Sequence, residues 1–253
     1  MFMDMPKLKS PFVREMIDGR FIVTPKIEKG FEWVFTNDCI AVEKLDGTNV
    51  SIYLESGKIK RMFNRTNEIP FFEKGSKRFM EGIYDAVSRG YLKDYKYFTG
   101  QVFGELIGMD VSKEGNVYQS SYRWLPFKKI YSKYHYKFWN EDIVKDIVGL
   151  EEVMLKEKQL FKAISETFES LWSLFKREVF GRDEIPNITK DVGFDGLAAE
   201  GIVFYKKSAF NEKFEVSPYN MCKLRRDMFP WYNKEGKVIR NFELTHNKIN
   251  ELS

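Results

Sequence analysis

Cysteine and histidine are scarce in this 253-residue chain, which has two of each. Cys39 and Cys222 cannot build a disulfide framework, and His135 and His246 are too scattered for a histidine-based metal site. No apolar run reaches the roughly 18 residues that a membrane span needs, and no secretory signal precedes the first motifs. The net charge of +4 permits a polyanionic partner without indicating one. We therefore expect a cytoplasmic protein with small buried thiols and no membrane partner.

Apolar and aromatic residues are plentiful, because 43% of the chain is hydrophobic and 16% is aromatic. A chain of this length and composition can bury a sizeable core. We expect one large domain over residues 1–230 and a short C-terminal tail, 231–253, packed on that domain.

The spacing of apolar residues predicts a mixed chain that is rich in short strands. Spacings of three and four predict a helix over 75–89, ended by Gly90, and a second helix over 151–180. Two alternating runs, 51–54 and 58–63, predict a β-hairpin around a Glu-Ser-Gly turn. The other predicted strands cover 21–26, 31–35, 101–108, 197–205, 213–216 and 221–226.

The sequence EKLDGTN, Glu43 to Asn49, lies between two apolar runs, 39–42 and 50–54. This pattern predicts a strand, a tight polar turn and a second strand, with Lys44 delivered at the turn. Gly47 can take the backbone conformation of a tight turn and lets a ligand approach closely. Two interpretations of Lys44 stay open at this point. It is either a surface charge on a hairpin or a nucleophile whose amine is activated by burial or by neighbouring cations.

Glu105 is a carboxylate inside the apolar run 101–108. An unpaired buried carboxylate is costly, so we expect a partner: a ligand hydroxyl, a metal-bound water or a cationic side chain. A structural ion pair is the alternative to a functional role.

Lys223 and Arg225 alternate along the predicted strand 221–226 and therefore share one of its faces. Two cations on one face need an anion or water. The simpler alternative is a solvated edge strand.

Rings and bases alternate along residues 122–139. Aromatic faces beside cations suit nucleic acid, because bases stack on rings and phosphates attract lysines. The alternative is that the rings pack in the core and the lysines lie on the solvated side.

Five motifs follow one another along the chain: EKLDGTN, Asn64-Arg65-Thr66, VFGELIG, AEGIVFY and CKLRR. In this order they resemble the covalent nucleotidyltransferases, the superfamily of ATP-dependent ligases and mRNA capping enzymes. The Gly-Thr-Asn ending of the lysine motif and the Phe-Gly-Glu-Leu run resemble most the RNA ligase branch related to phage RNA ligase 2 and the kinetoplastid editing ligases. The resemblance spans about residues 20 to 230. It implies an α+β fold: an adenylyltransferase (ATP-grasp-like ligase) core of antiparallel sheets flanked by helices, without a C-terminal OB-fold domain.

The resemblance implies that residues 1–230 are the adenylation domain of an ATP-dependent RNA ligase. In this family a lysine attacks the α-phosphate of ATP, the adenylate passes to an RNA 5′-phosphate, and a 3′-hydroxyl then seals the strand. Lys44 matches that lysine, and Lys223 and Arg225 match the paired cations that grip the α-phosphate. The attack needs a neutral amine, which neighbouring cations and a divalent metal favour.

The resemblance also implies which residues hold the nucleotide and the metal. Glu200 matches the acid that binds Mg²⁺ or Mn²⁺, often through water. Glu105 matches the acid of the ribose and metal region, and Arg65 an arginine near the ribose and phosphates. The implied nucleotide-binding residues are Glu43, Asn49, Arg65, Glu105 and Phe138, and the implied metal ligands are Glu200 and Glu105.

The ring that stacks on adenine is the least defined part of this match. Phe138 is our choice, with Trp139 as the near alternative, because the aromatic-acid pair expected after VFGELIG is not clear in KFWNEDI.

The chain departs from the family pattern at two points. Many relatives carry a lysine where this chain has Arg225, and arginine keeps its proton and binds phosphate bidentately, which disfavours a general-acid role there. About 28 residues follow Arg225, too few for an OB-fold or for the helical C-terminal domain of many RNA ligases. We expect either a minimal catalytic core or an enzyme whose end-sealing steps depend on an accessory partner or on substrate architecture.

Two other functions compete with an RNA ligase. A DNA ligase or a capping guanylyltransferase shares the motifs, but both normally need the OB-fold module. A non-catalytic nucleic-acid-binding protein could keep the fold as a scaffold, but it would have no chemical need for Lys44, Glu105, Glu200 and Lys223 together.

Overall fold

The computed structural model describes residues 2–108, 111, 122–133, 139, 157–161, 201–210 and 216–229. The regular elements in chain order are β1 (Phe12–Ile17), β2 (Arg20–Ile27), β3 (Cys39–Lys44), β4 (Thr48–Glu55), β5 (Lys58–Asn64), β6 (Asn67–Glu68), α1 (Lys77–Ser88), β7 (Gly100–Ile107), β8 (Arg123–Pro126), α2 (Phe127–Lys133), β9 (Gly201–Lys206) and β10 (Met221–Arg225). Short 3₁₀ helices cover Glu32–Phe35, Lys93–Tyr95, Lys207–Phe210 and Arg226–Met228. No helix within these residues is long and apolar enough to cross a membrane.

Every strand pairing in the described part of the chain is antiparallel. The strands form three sheets, with the orders β1-β2, β10-β9-β3 and β6-β5-β4-β7-β8. This arrangement confirms the predicted α+β core of antiparallel sheets.

The chain divides into two compact units. Among the described residues, the first unit comprises 2–6, 45–108, 111 and 122–133. The second comprises 7–44, 139, 157–161, 201–210 and 216–229. The first unit contains the five-stranded sheet and both numbered helices, and the second contains the other two sheets.

Helix α1 covers the apolar face of the five-stranded sheet. It buries Phe79, Gly82, Ile83 and Ala86, which recur at the spacing of one helical face. A Cβ on Gly82 would collide with the Leu106 side chain and lie 3.2 Å from the Trp124 backbone nitrogen, so the glycine lets the helix approach the sheet closely.

The predicted helix over 75–89 is therefore confirmed, with its end at Ser88. Gly90 follows it with a φ of 70°, a left-handed conformation that a glycine adopts without strain. The predicted hairpin of 51–54 and 58–63 is also confirmed, as the antiparallel pair β4–β5.

The second unit packs its core from aromatic rings. Trp139 lies 4.6 Å from Phe204 and 6.3 Å from Phe35 between ring centroids, and its indole N–H donates to the Val34 carbonyl at 2.9 Å. One face of the three-stranded sheet carries five buried side chains: Ala41, Ile202, Phe204, Cys222 and Leu224.

Residues 31–35 do not form the predicted strand. Glu32–Phe35 is a 3₁₀ helix whose Trp33, Val34 and Phe35 are all buried. A strand would turn alternate side chains away from the core, whereas one helical turn buries three consecutive apolar residues.

Other predicted elements fall mainly outside the described residues. Within the predicted helix 151–180, residues 157–161 are described and are helical. Of the predicted strand 213–216 only Val216 is described, and it is not in a strand. The tail 231–253 lies wholly outside.

Both thiols are expected to be unreactive in the folded protein. Cys39 is 1% exposed and Cys222 is fully buried, as predicted. Burial raises the pKa of both thiols well above the usual value, and the nearby charge of Asp38 adds to the rise at Cys39. Since the thiolate is the reactive form, a disulfide reagent at mildly alkaline pH should modify neither cysteine in native buffer and both in denaturant. Rapid native modification of either thiol would contradict this packing.

Candidate active site

The stretch EKLDGTN joins two different sheets. Strand β3 ends at Lys44 and pairs with β9, whereas β4 begins at Thr48 and pairs with β5 and β7. The hairpin interpretation of Lys44 is therefore wrong, although the strand–turn–strand pattern is correct. A Cβ on Gly47 would collide with the Leu106 carbonyl oxygen of β7, so this glycine admits a neighbouring strand.

Lys44 lies in a row of three residues at one end of the three-stranded sheet. It pairs in register with Gly201 of β9, and Gly201 pairs on its other side with Arg225 of β10. Two strand spacings of about 4.8 Å separate the Lys44 and Arg225 α-carbons by about 10 Å. The central residue has no side chain, so none stands between the two long cationic side chains in this row.

Lys223 belongs to the same face of this sheet. It pairs with Val203, two residues along β9 from Gly201, and strand alternation puts Lys223, Arg225 and Lys44 on one side. All three are partly buried, whereas Ala41, Ile202, Phe204, Cys222 and Leu224 on the opposite face are buried. The prediction that Lys223 and Arg225 share one face of the strand is confirmed, and the structure places Lys44 on the same face of the sheet.

Both cations of β10 lie in residues that make further hydrogen bonds. Arg225 donates from Nη2 to the Asp227 carboxylate at 2.6 Å, and the Lys223 backbone N–H donates to the Lys9 carbonyl at 2.9 Å. The outer edge of β10 is thus bonded to protein at this point, which a freely solvated edge strand would not be. Sequence reasoning missed Asp227, although an acid two residues after Arg225 was a usable signal.

Asn49 and Glu105 form a cross-strand pair in the first unit. They are directly opposite each other on β4 and β7, and both are partly buried. Their face also carries Ser51 and Gln101, and Gln101 donates to the Ser51 hydroxyl at 2.8 Å. On its other side Glu105 pairs with the buried Leu125 of β8, and Phe103 and Ile107 of β7 alternate onto its face, so it lies among apolar neighbours as predicted, with Asn49 as its polar cross-strand partner.

Arg65 is held beside Asn49. Its backbone N–H donates to the Asn49 carbonyl at 3.3 Å, and its φ of 55° is a left-handed conformation that is uncommon outside glycine. Its guanidinium lies 3.8 Å from the Asp4 carboxylate. The structure thus brings Asn49, Arg65 and Glu105 together. Asp4, 61 positions away in sequence, had no signal that could have linked it to Arg65.

Trp139 cannot be the adenine-stacking ring, because it is fully buried in the core of the second unit. This corrects the alternative assignment. Phe138 lies outside the described residues.

Trp124 is likewise a core residue. Its indole N–H donates to the Val50 carbonyl at 3.0 Å, and a Cβ on Gly104 would lie 2.6 Å from the indole nitrogen. Gly104, the first glycine of VFGELIG, therefore makes room for this ring. For Trp124 and Trp139 the core interpretation of residues 122–139 is correct.

Nothing is described of the side chains of two further predicted site residues, Glu200 and Glu43. Glu200 lies outside the described residues, immediately before β9. For Glu43 the structure describes the backbone, which pairs in register with Ile202.

The family model described as RNA ligase matches residues 37–224 of the chain. None of the curated proteins matches.

Solved structures of Naegleria gruberi RNA ligase resemble the chain weakly. A variant with ATP and Mn is 11% identical and covers 86% of this chain and 59% of its own, with a TM-score of 0.38. The same ligase with PPi is 12% identical and covers 87% and 61%, with a TM-score of 0.38. Similarity this low does not assign a role to any residue of the site. The chain spans about 60% of the length of these ligase chains.

Proposed function

The chain belongs to the RNA ligase family, and we propose that it is an ATP-dependent enzyme that joins an RNA 5′-phosphate to a 3′-hydroxyl through a lysyl-adenylate. We further propose that residues 1–230 act as the adenylation domain and that the tail 231–253 packs on it.

The observation that carries the proposal is the row Lys44–Gly201–Arg225, with Lys223 on the same face. Three cations on one partly buried face, against the single carboxylate of Asp227 that pairs with Arg225, favour a polyanion. A primary amine beside a bound phosphate is also a nucleophile in position.

In the first step, Lys44 Nζ attacks the α-phosphorus of ATP. A P–N bond forms, the bond to the bridging oxygen breaks, pyrophosphate leaves and the amine gives up its proton. Arg225 and Lys223 stabilise the negative charge that builds on the α-phosphate. Arg225 keeps its proton throughout, so its role is electrostatic.

In the second and third steps, an oxygen of the RNA 5′-phosphate attacks the adenylate phosphorus and frees Lys44. A 3′-hydroxyl then attacks the RNA phosphate and expels AMP, which seals the strand. We assign the nucleotide to Glu43, Asn49, Arg65, Glu105 and Phe138, with Phe138 stacking on adenine.

The oxygen donors present fit a hard divalent cation. The partly buried Glu105 carboxylate is paired in register with Asn49, whose buried Oδ1 has no hydrogen-bond partner among the described residues. Magnesium next to phosphates needs only one or two carboxylates. We assign Mg²⁺ or Mn²⁺ to Glu105 and Glu200, where the ion would neutralise phosphate charge.

The substrate and partners are inferred from the family. RNA ends are the proposed substrate, and an accessory protein or domain acting in trans is proposed for the end-sealing steps.

The proposal is tested with nicked duplexes that differ only in the sugar at the nick. With ATP and Mg²⁺ or Mn²⁺, we expect sealing of the nick flanked by ribonucleotides, and little sealing when both flanks are deoxyribonucleotides. Self-labelling should occur with α-labelled ATP, fail with α-labelled GTP and stop when the metal is chelated.

The same assay separates the competing functions. Equal sealing of the DNA nick would identify a DNA ligase, and labelling by GTP a capping-type enzyme. RNA binding without labelling by either nucleotide would indicate a non-catalytic nucleic-acid-binding protein.

A further inference from the structure

A cluster of tyrosines and lysines lies on the first unit, outside the site described above. It is formed by the segment after α1 and by the solvent side of α2. We call it the tyrosine–lysine patch, and its residues are Tyr91, Tyr95, Lys96, Tyr97, Lys128 and Lys129.

Each tyrosine of the patch has a lysine over its ring. Lys96 Nζ lies 5.2 Å from the Tyr97 centroid, Lys128 Nζ 5.7 Å from that of Tyr95, and Lys129 Nζ 4.7 Å from that of Tyr91. These distances are within the roughly 6 Å range of a cation–π contact. Two separate stretches of sequence therefore converge on one surface.

The patch is basic. Residues 91–97 and α2 together contain five lysines, with Lys93 and Lys133 in addition to those of the patch, and one carboxylate, Asp94. Among the described residues, none forms an ion pair with Lys96 or Lys128. Burial raises the pKa of Tyr95 to about 12, so its phenol adds no negative charge.

The patch also exposes an aromatic face on a fixed support. The Tyr97 side chain is 82% exposed, and its neighbour Phe98 packs edge-on against Tyr95 at 5.6 Å. The Gly57 N–H of the β4–β5 turn donates to the Phe98 carbonyl at 2.9 Å, and Ser56 donates to the Thr99 hydroxyl at 2.9 Å. The ring of Tyr97 is thus presented to solvent by backbone that is tied to the sheet.

We propose that the tyrosine–lysine patch binds a single-stranded part of the RNA substrate. Lysines attract phosphates, and an exposed ring offers a stacking surface to a base that is not already stacked in a duplex. An acidic protein would be attracted by the lysines of the patch, but it would have no base to stack on the Tyr97 ring. The choice of RNA rests on the function proposed above.

The test compares two double variants that each remove one exposed tyrosine and one lysine. The patch variant is Tyr97→Ala/Lys128→Ala. The control is Tyr84→Ala/Lys77→Ala on α1, where Tyr84 is 73% exposed and Lys77 is ion-paired with Glu81. Both carry the same change in net charge, so a difference between them cannot come from overall electrostatics.

Binding of a short mixed-sequence oligoribonucleotide is measured by fluorescence anisotropy over a range of salt. The patch variant should bind about tenfold or more weakly than wild type, and its slope of log affinity against log salt should be shallower by about 0.7. The control should bind as wild type does. Equal affinities for the two variants would overturn the proposal.

Two further arms identify the ligand class. A duplex of the same length should be less sensitive to the patch variant, and polyglutamate should compete poorly. If polyglutamate displaced the RNA as well as unlabelled RNA does, the surface would be a protein-docking site and the proposal would fail. Self-labelling with ATP, measured without RNA, should be equal in all three proteins. Wild type that binds RNA through the patch but never labels would overturn the proposed function and leave the patch intact.

Discussion

Replacing Lys44 with alanine is expected to abolish labelling of the protein by α-labelled ATP, by more than about a thousandfold, because the variant has no amine to form the P–N bond. Lys44→Arg should be equally inactive, since it keeps a cation in the row with Gly201 and Arg225 but lacks the primary amine. The measurement is the label retained on denatured protein, released by acid and stable to alkali as expected for a phosphoramidate.

The matched control is Lys206→Ala. Lys206 lies in the same three-stranded sheet, at the opposite end of β3, where it pairs with Cys39. It should label as wild type does. Label that persisted in both Lys44 variants would remove Lys44 as the nucleophile, and label lost in Lys44→Ala but kept in Lys44→Arg would reduce its role to charge.

Replacing Gly201 with alanine is expected to destabilise the second unit and to reduce self-labelling together. A Cβ at this position would collide with the Leu224 carbonyl oxygen and lie 2.8 Å from the Arg225 α-carbon. Both obstacles are backbone atoms of β10, so the strands must separate. Overpacking of this kind costs about 2–3 kcal/mol, which lowers Tm by about 4–12 °C in a protein of this size.

Loss of labelling in Gly201→Ala should exceed what the unfolded fraction accounts for, because Arg225 moves with β10. The control is Gly75→Ala, since a Cβ there has nothing within 4 Å and should leave Tm and labelling unchanged. A Gly201→Ala protein that melted and labelled as wild type does would show that β9 and β10 are not packed at Gly201 as described.

Local pattern was enough for the elements whose apolar period is unambiguous. The alternation in 51–63 predicted the β4–β5 hairpin, and the spacing of Phe79, Ile83 and their neighbours predicted α1. It failed at 31–35, where three consecutive buried residues have no period to count. The order of short motifs predicted the family that the family model matches.

Strand partners that are far apart in the chain could not be predicted from the sequence, because local spacing does not show which distant strand supplies the hydrogen bonds. The pattern at EKLDGTN is the same whether β3 and β4 pair with each other or, as observed, with β9 and with β5 and β7. The setting of Glu105 depends on which face of β7 the helix covers, and Trp139 is excluded from stacking only by the rings around it.

The sequence by itself determined that Lys44, Lys223 and Arg225 are present, and that alternation sets the last two on one face. Only the tertiary structure decided that Lys44 joins them, since that requires β3 and β10 to flank β9 in one register with Gly201 between. The groups that could take part in a reaction are side chains, and their identity is given by the sequence. The distances at which they act are set by pairings between segments more than 150 residues apart, which local spacing does not encode.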